Sequence, residues 1–206
     1  LVHTSGSTGK PKPLWVEKQR MLNSARITCD FLGLKAGDTA LLCMPLDYIA
    51  GKMVVVRSIE RNLRLLSVTP SGHPLSDKSL SEAGISNEEI TFAAMVPLQV
   101  YNSMQVPEER ERLRQIRHLI IGGGAVDEKL SVALHNFPNA VWSTYGMTET
   151  LSHIALRRLN GPDASEWYKP FEGVKVWLNE EGCLVIDAPA VCSHPLVTND
   201  RAEIRP

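Results

Sequence analysis

The 206-residue sequence lacks an excess of charge of either sign and lacks any long apolar run. It carries 22 Lys and Arg against 23 Asp and Glu, so no global field recruits nucleic acid or an acidic membrane. No apolar stretch approaches the roughly 20 residues of a membrane-spanning helix. Residues 1–10 show no charged leader followed by an apolar stretch. We therefore expect neither a nucleic-acid partner, nor a membrane span, nor a signal peptide.

Cysteine is scarce as well. The chain has only Cys29, Cys43, Cys183 and Cys192, with no CxxC pair and no His at metal-ligand spacing from them. So few cysteines in a chain of this length argue against a disulfide framework. A reduced, cytoplasmic protein is the simplest interpretation.

The remaining composition is that of an ordinary globular protein, with 43% apolar and 22% charged residues and no internal repeat. The length fits one domain, or one large domain of a longer protein. The sequence leaves the oligomeric state open.

Strands and helices alternate through the first three quarters of the chain. Hydrophobic periodicity and turn residues predict helices at 17–33, 51–62, 107–115 and 127–136, and strands at 39–44, 63–68, 92–96, 118–121 and 141–145. This alternation is typical of an α/β fold in which a largely parallel sheet is flanked by helices.

The pattern changes after about residue 152. Segments 152–159, 173–178 and 183–187 are β-like, and residues 179–182 form a strong hairpin signal, which predicts a small antiparallel β unit. We expect an α/β subdomain at 1–155 and a small β subdomain at 156–206.

The most informative segment is residues 4–12, TSGSTGKPK. Its hydroxyl groups belong to Thr4, Ser5, Ser7 and Thr8, its glycines are Gly6 and Gly9, and its positive charges are Lys10 and Lys12. Glycines let the backbone approach an anion, and hydroxyls and lysines can then hold a phosphate. The segment is not a Walker A loop, because Pro11 follows Lys10. Taken alone, its composition favours a flexible loop, because short clusters of Gly, Ser and Thr are common in loops.

Glycines also follow the predicted strand at 118–121, in the sequence Gly122-Gly123-Gly124-Ala125. In open α/β sheets, ligands bind outside the carboxyl ends of strands, and no side chain here would block a flat ring. The alternative is a simple turn between a strand and a helix.

The segment 145–150, YGMTET, follows another predicted strand. Tyr145 offers a stacking face, Thr148 a hydroxyl for a phosphate, and Glu149 a carboxylate suited to Mg²⁺. The alternative is a helix start in which Thr148 is the N-cap.

In this order, the three segments resemble the motifs of the adenylate-forming superfamily of acyl-CoA synthetases, luciferases and peptide-synthetase adenylation domains. That family carries a TSG[ST]TGxPK loop, a Gly-Gly-Ala turn, a YGxTE segment and then a T-G-D sequence. Thr198-Asn199-Asp200 stands at a fitting distance, with Asn in place of the usual Gly. The resemblance covers nearly the whole chain and implies a partial N-terminal catalytic domain.

The resemblance also implies residue roles, with ATP, Mg²⁺ and CoA as ligands. Residues 4–12, with Lys12 as the catalytic lysine of the loop, would handle the departing pyrophosphate. Gly123, Gly124, Ala125 and Tyr145 would border the adenine, and Gly146 would also bind the nucleotide. Thr148 would meet the α-phosphate, Glu149 would hold Mg²⁺, and Asp200 would accept hydrogen bonds from the ribose hydroxyls.

For the acid substrate, residues 45–51 resemble a family segment that often reads PLFHxxG and gates the acyl pocket. Tyr48 stands at the His position. With Arg57 following, the region looks like the short o-succinylbenzoate–CoA ligases of menaquinone biosynthesis. A dicarboxylic acid needs a cation in the pocket, and Arg57 or Lys52 could supply it. The alternative is that Arg57 is a solvated helix residue.

Two further functions stay open from the sequence. One is an adenylating enzyme for another aryl, fatty or amino acid. The other is an inactive nucleotide-binding fragment. The family's C-terminal lysine has no counterpart in this sequence, so we expect the isolated 206 residues to be inactive.

Overall fold

A computed structural model describes residues 1–3, 13–84 and 90–205. The predicted phosphate loop at 4–12 lies outside the described residues. The helices are α1 (Lys18–Leu32), α2 (Ile49–Arg61), α3 (Lys78–Glu82), α4 (Pro97–Gln105), α5 (Pro107–Gln115) and α6 (Glu128–Leu134). The strands are β1 (Val2–His3), β2 (Pro13–Leu14), β3 (Thr39–Leu42), β4 (Arg64–Ser67), β5 (Phe92–Met95), β6 (His118–Ile121), β7 (Ala140–Gly146), β8 (His153–Arg158), β9 (Lys169–Pro170), β10 (Lys175–Leu178), β11 (Cys183–Asp187) and β12 (Leu196–Arg201).

A mostly parallel sheet forms the centre of the structure, with strand order β4-β3-β5-β6-β7-β8-β9. Strands β4, β3, β5, β6 and β7 run parallel, and β8 and β9 are antiparallel additions at one edge. Strands β10, β11 and β12 form a separate antiparallel sheet. The predicted fold class, a parallel α/β sheet followed by a small antiparallel unit, is confirmed.

The central strands are short apolar runs without alternation. Every residue of β3 and β5 is buried, and so are three of the four residues of β6. Strands that are covered on both faces have this composition, because no face of theirs meets water. The main hydrophobic core therefore surrounds the middle of the parallel sheet.

The direction in which successive strands are added to the sheet reverses at β3. Strand β4 pairs on one side of β3, whereas β5, β6 and β7 follow on the other side. The connections that leave β3 and β5 diverge to opposite sides and leave a crevice outside the carboxyl ends of these strands. This crevice is the expected place for a ligand.

The structure differs from the predicted elements at several places; helix α3 and strand β12, for example, were not predicted. Residues 153–158 were expected in the antiparallel unit, but as β8 they pair with β7 of the large sheet. Helix α4 was not predicted; it begins at Pro97, whose fixed φ suits the first turn of a helix. The subdomain division at 155/156 remains a prediction. In the described part of the chain, no helix has the length and apolar composition to cross a membrane.

A close backbone approach joins α2 to the end of β3. A Cβ atom on Gly51 would lie 2.3 Å from the carbonyl oxygen of Pro45 and 3.0 Å from that of Met44. Both contacts are with backbone, which cannot move aside as a flexible side chain can. Glycine at position 51 therefore fixes where the segment after β3 lies.

We predict that Gly51→Ala destabilises the protein, with a loss of about 1–3 kcal/mol in the free energy of unfolding. This loss outweighs the roughly 0.5–1 kcal/mol that Ala otherwise contributes in a helix. Urea denaturation measures it. The control is Ile59→Ala on the same helix, which is 71% exposed and should change stability by less than about 0.5 kcal/mol. Equal stability of Gly51→Ala and wild type would contradict the prediction.

Candidate functional site

A cavity of about 600 Å³ opens at the carboxyl edge of the parallel sheet. Its walls come from the segments that follow four neighbouring strands: Pro45 after β3, Val96 after β5, Gly123 after β6 and Met147 after β7. The volume lies within the roughly 300–1,000 Å³ of small-molecule sites. The crevice predicted by the strand order is therefore a real pocket.

Several of the predicted site residues line this cavity. They are Tyr48, Arg57, Gly123, Gly146 and Thr148. Tyr48 immediately precedes α2 and is half-exposed, whereas Thr148 is buried in a short helical turn that follows β7. His3, the last described residue before segment 4–12, also lines the cavity. The structure thus brings the acid-pocket and phosphate candidates to one place.

Other predicted site residues lie outside the cavity lining. The Tyr145 hydroxyl donates a hydrogen bond to the Asp200 carboxylate at 2.7 Å. Burial raises the pKa of Tyr145, and the hydrogen bond to Asp200 raises it further. Gly124 and Ala125 are exposed after β6. Tyr145 and Asp200 therefore form a pair of their own, which joins β7 to β12.

Glu149 is exposed next to Thr148. Among the described residues, no side chain donates a hydrogen bond to its carboxylate, and no group of three or more His, Cys, Asp or Glu could hold a metal ion. Mg²⁺ is usually bound by one or two carboxylates together with phosphate oxygens and water. A single free carboxylate is enough for that mode of binding. It would not be enough for a metal site built from protein ligands alone.

Arg57 is a buried cation in the cavity wall. It is 2% exposed, and its Nε atom is buried without a hydrogen-bond partner. In the described ranges, no carboxylate forms an ion pair with it. Burial lowers the pKa of Arg57 to about 10, so the guanidinium is still protonated at neutral pH. The site therefore contains a positive charge for which the described residues supply no counter-ion.

Lys52 on the same helix faces the other way. Its ammonium group donates hydrogen bonds to the backbone carbonyls of Leu46 and Asp47. Five residues correspond to about 500° of helical rotation, so Arg57 and Lys52 cannot share a face. Of the two candidate cations, Arg57 borders the cavity, and Lys52 stabilises the turn that precedes α2.

Polar side chains that sequence analysis missed surround Arg57. Its Nη2 atom donates to the Ser152 hydroxyl at 2.5 Å and to the Thr28 hydroxyl at 3.4 Å. His153 contacts both hydroxyls, with Nδ1 at 3.2 Å from Ser152 Oγ and Nε2 at 3.0 Å from Thr28 Oγ1. Ser152 and His153 follow the YGMTET segment with only Leu151 between, so the motif indicated their neighbourhood but not their partners.

Gln99 is a further residue that the sequence did not reveal. It is buried, and its amide group donates to the carbonyls of Cys43 and Ser71 at 3.1 and 2.9 Å. Its Oε1 atom accepts from the backbone of Val96 at 3.2 Å. One side chain thus ties together the segments after β3, β4 and β5, and no motif marks it.

A protein-family model for AMP-binding enzymes matches residues 1–189. The chain belongs to this family of AMP-binding enzymes. The matched range includes the segments 4–12, 122–125 and 145–150, whereas Thr198-Asn199-Asp200 lies beyond it.

Individual members of the AMP-binding family show how much of a longer protein this chain matches. It is 29% identical to a 2-succinylbenzoate–CoA ligase of Bacillus cereus over 75% of its length, but it spans only 31% of that relative. An acyl-CoA synthetase/AMP-acid ligase II-like protein of Dyadobacter fermentans is 37% identical, with a TM-score of 0.87 over 99% of this chain and 56% of its own.

An o-succinylbenzoate–coenzyme A synthetase from Bacillus subtilis, solved with ATP and magnesium ion, shares the fold with a TM-score of 0.73. At 23% identity, over 95% of this chain and 42% of that one, the likeness concerns the fold alone.

The titration of His153 gives a prediction for this AMP-binding chain. Burial, and in second place the charge of Arg57, hold the pKa of His153 well below the ordinary value of 6.5. The unfolded chain takes up a proton below pH 6.5 that the folded chain does not. The free energy of unfolding should therefore fall as pH is lowered from about 7 to 5, by at most about 1.4 kcal/mol per pH unit for this one group.

Urea denaturation at several pH values measures this loss. His153→Gln should remove part of the pH dependence, because glutamine does not titrate. An identical pH dependence in wild type and variant would show that His153 takes up its proton normally in the folded protein.

Proposed function

We propose that the full-length protein activates a carboxylic acid with ATP as an acyl-adenylate and transfers the acyl group to CoA, and that the acid is o-succinylbenzoate, as in menaquinone biosynthesis. Family membership supports the adenylating class of reaction. The observation that carries the choice of acid is Arg57, a buried cation in the cavity wall without a carboxylate partner among the described residues. We further propose a cytoplasmic location.

The described residues suit the first half-reaction. Attack of a carboxylate on the α-phosphorus builds negative charge on that centre and on the leaving pyrophosphate. Thr148 offers a hydroxyl at the cavity for the α-phosphate, and the free carboxylate of Glu149 would hold Mg²⁺, which neutralises phosphate charge when bound. Gly123 and Gly146 border the cavity at the strand ends, where the adenine ring would lie. Asp200, whose carboxylate accepts a hydrogen bond from Tyr145, would also accept hydrogen bonds from the ribose hydroxyls.

The acid half of the cavity selects a dianion. An aromatic keto-dicarboxylic acid has one carboxylate to activate and a second that must be buried with its charge. Burying that charge without a partner is costly. Arg57 offers a planar donor group that can pair with a carboxylate, and Tyr48 lies at the mouth of the same cavity. The second carboxylate therefore finds its counter-ion in Arg57.

The alternatives differ in what they do with Arg57. An enzyme for a simple fatty or aryl monocarboxylate would leave the guanidinium unpaired when its substrate is bound. Pyrophosphate release by the full-length protein, measured across dicarboxylic, aryl, fatty and amino acids, separates these cases. No release with any acid would identify an inactive nucleotide-binding protein. Preference for a monocarboxylate would refute the proposed substrate.

We predict that Arg57→Leu raises KM for o-succinylbenzoate at least tenfold and changes KM for ATP less than twofold. A hydrogen bond to a charged group contributes about 1.5–3 kcal/mol, and about 1.4 kcal/mol corresponds to a factor of ten. The matched control is Lys52→Leu, which removes a cation from the outer face of the same helix and should leave KM for the acid nearly unchanged. An equal effect of both variants would contradict the role of Arg57.

We also predict that Glu149→Gln lowers the rate of adenylation severely, because a neutral amide is a poorer ligand for Mg²⁺ than a carboxylate. Raising the magnesium concentration should recover part of the rate. ATP binding measured calorimetrically without metal should change little. Wild-type pyrophosphate release by this variant would exclude Glu149 as the metal ligand.

A further inference from the structure

His153 lies beside Arg57, and both residues border the cavity. The histidine is 8% exposed and packs between α1, α2 and the ring of Phe171, whose centroid is 5.6 Å from its own. Both ring nitrogens contact hydroxyls, those of Thr28 and Ser152, and both hydroxyls accept hydrogen bonds from Arg57. The side chains of Thr28 and Ser152 thus connect one histidine to one guanidinium by two separate routes.

We infer that His153 is a positioning residue for acid recognition: through the hydroxyls of Thr28 and Ser152 it orients the Arg57 guanidinium toward the cavity. The inference rests on the proposed function, since it concerns the cation that would meet the second carboxylate. It assigns to His153 a role in substrate specificity and none in proton transfer.

The protons of the network can be placed consistently. The Thr28 hydroxyl donates to the Ser24 carbonyl at 3.2 Å, so its oxygen accepts from Arg57 and from Nε2–H of His153. Nδ1 then carries no proton and accepts from the Ser152 hydroxyl, whose oxygen in turn accepts from Arg57. Each hydroxyl donates once, and every ring nitrogen is satisfied. A second proton on the ring would make the Ser152 oxygen accept from both Arg57 and Nδ1–H, so the Ser152 hydroxyl proton would lose its acceptor in this network.

The charges around the ring agree with this assignment. The charged group that acts on His153 is Arg57, on α2, and it disfavours a second positive charge beside it. Two other neighbours of the ring are uncharged. They are Thr28 from α1 and Phe171, which directly follows β9. Because burial also lowers the pKa of His153, the ring stays neutral at physiological pH and can accept from Ser152.

The hydrogen bonds to Thr28 and Ser152 determine which N–H groups of Arg57 remain without a partner. The two hydroxyls occupy Nη2, which fixes the plane of the guanidinium, whereas Nε has no partner although it is buried. A donor held in place loses less entropy when a carboxylate arrives, and this preorganisation strengthens binding. Loss of the His153 contacts should therefore weaken recognition of the second carboxylate without affecting the nucleotide.

The test uses the full-length protein, with o-succinylbenzoate and its two monomethyl esters as acids. His153→Phe, which keeps a ring and removes both nitrogens, should raise KM for the dicarboxylic acid about tenfold and leave KM for ATP within twofold. Gln and Asn, which can each replace one ring nitrogen, should fall between wild type and Phe. The matched control is His118→Phe at the amino end of β6, which should leave both KM values within twofold.

Coupling to Arg57 separates a positioning role from a merely structural one. In an Arg57→Leu background, His153→Phe, Gln or Asn should change KM for the acid less than twofold. Where the Phe variant fails to fold, as judged by its circular dichroism melting curve, the Gln and Asn variants give the same comparison. An equal rise of KM in both backgrounds, or an equal rise for ATP, overturns the inference. So do His153 variants with wild-type KM.

The proposed function fails in a different way. It fails if wild type turns over a monomethyl ester as well as the dicarboxylic acid, whatever the His153 variants do. If wild type prefers the dicarboxylic acid and Arg57→Leu abolishes that preference, while His153→Phe retains it, the function stands and the inference about His153 is wrong.

Discussion

A parallel sheet must place the carboxyl ends of its strands at one edge, and the site depends on this constraint. Segments that follow β3, β5, β6 and β7 are separated by tens of residues along the chain, yet they line one cavity because their strands pair in register. The reversal at β3 opens the cavity, because the connections on its two sides move apart. Motifs with no local relation in sequence thereby become neighbours.

The cavity wall needs further support where the sheet does not reach. Residues 70–72 line the cavity beyond β4 and belong to no strand. Gln99 holds the Ser71 carbonyl, and the buried Glu109 accepts hydrogen bonds from His73, Ser76 and Ser103. These contacts lower the pKa of Glu109 in spite of its burial, so its carboxylate remains an acceptor. Two buried polar side chains of α4 and α5 thus fix one wall.

The sequence predicts those parts of the structure that local patterns determine. The apolar runs at β3, β5 and β6 and the periodicity of α1 and α2 gave the fold class. The pairing of β8 with β7 was missed, because a β-like sequence does not identify the strand with which it pairs. Helix α5 shows the same limit: the charged sequence PEERERLR gives no sign that Glu109 is buried, since burial depends on Ser76 and Ser103 from elsewhere in the chain.

The site residues also fall into two groups, those that local motifs predict and those that only the packing of the chain brings together. The motifs located Gly123, Gly146 and Thr148 at the cavity, because each follows a strand, and helical rotation separated Arg57 from Lys52. Thr28, Ser152 and His153 could not be found in this way. They lie up to 125 residues apart and meet only when α1 and α2 pack against the edge of the sheet. Network partners of a buried charge are a property of packing, which no single motif records.

The buried guanidinium also explains how such a site could reject wrong acids. Moving a charge out of water costs several kcal/mol, even after the protein relaxes around it. Two hydroxyls offset part of that cost for Arg57, and its Nε atom keeps an unsatisfied donor. Under the proposed function, the second carboxylate of a dicarboxylic acid would pair with this guanidinium, whereas a monocarboxylic acid would leave the buried charge without a counter-ion. Discrimination would then arise as much from the penalty on the wrong acid as from attraction of the right one.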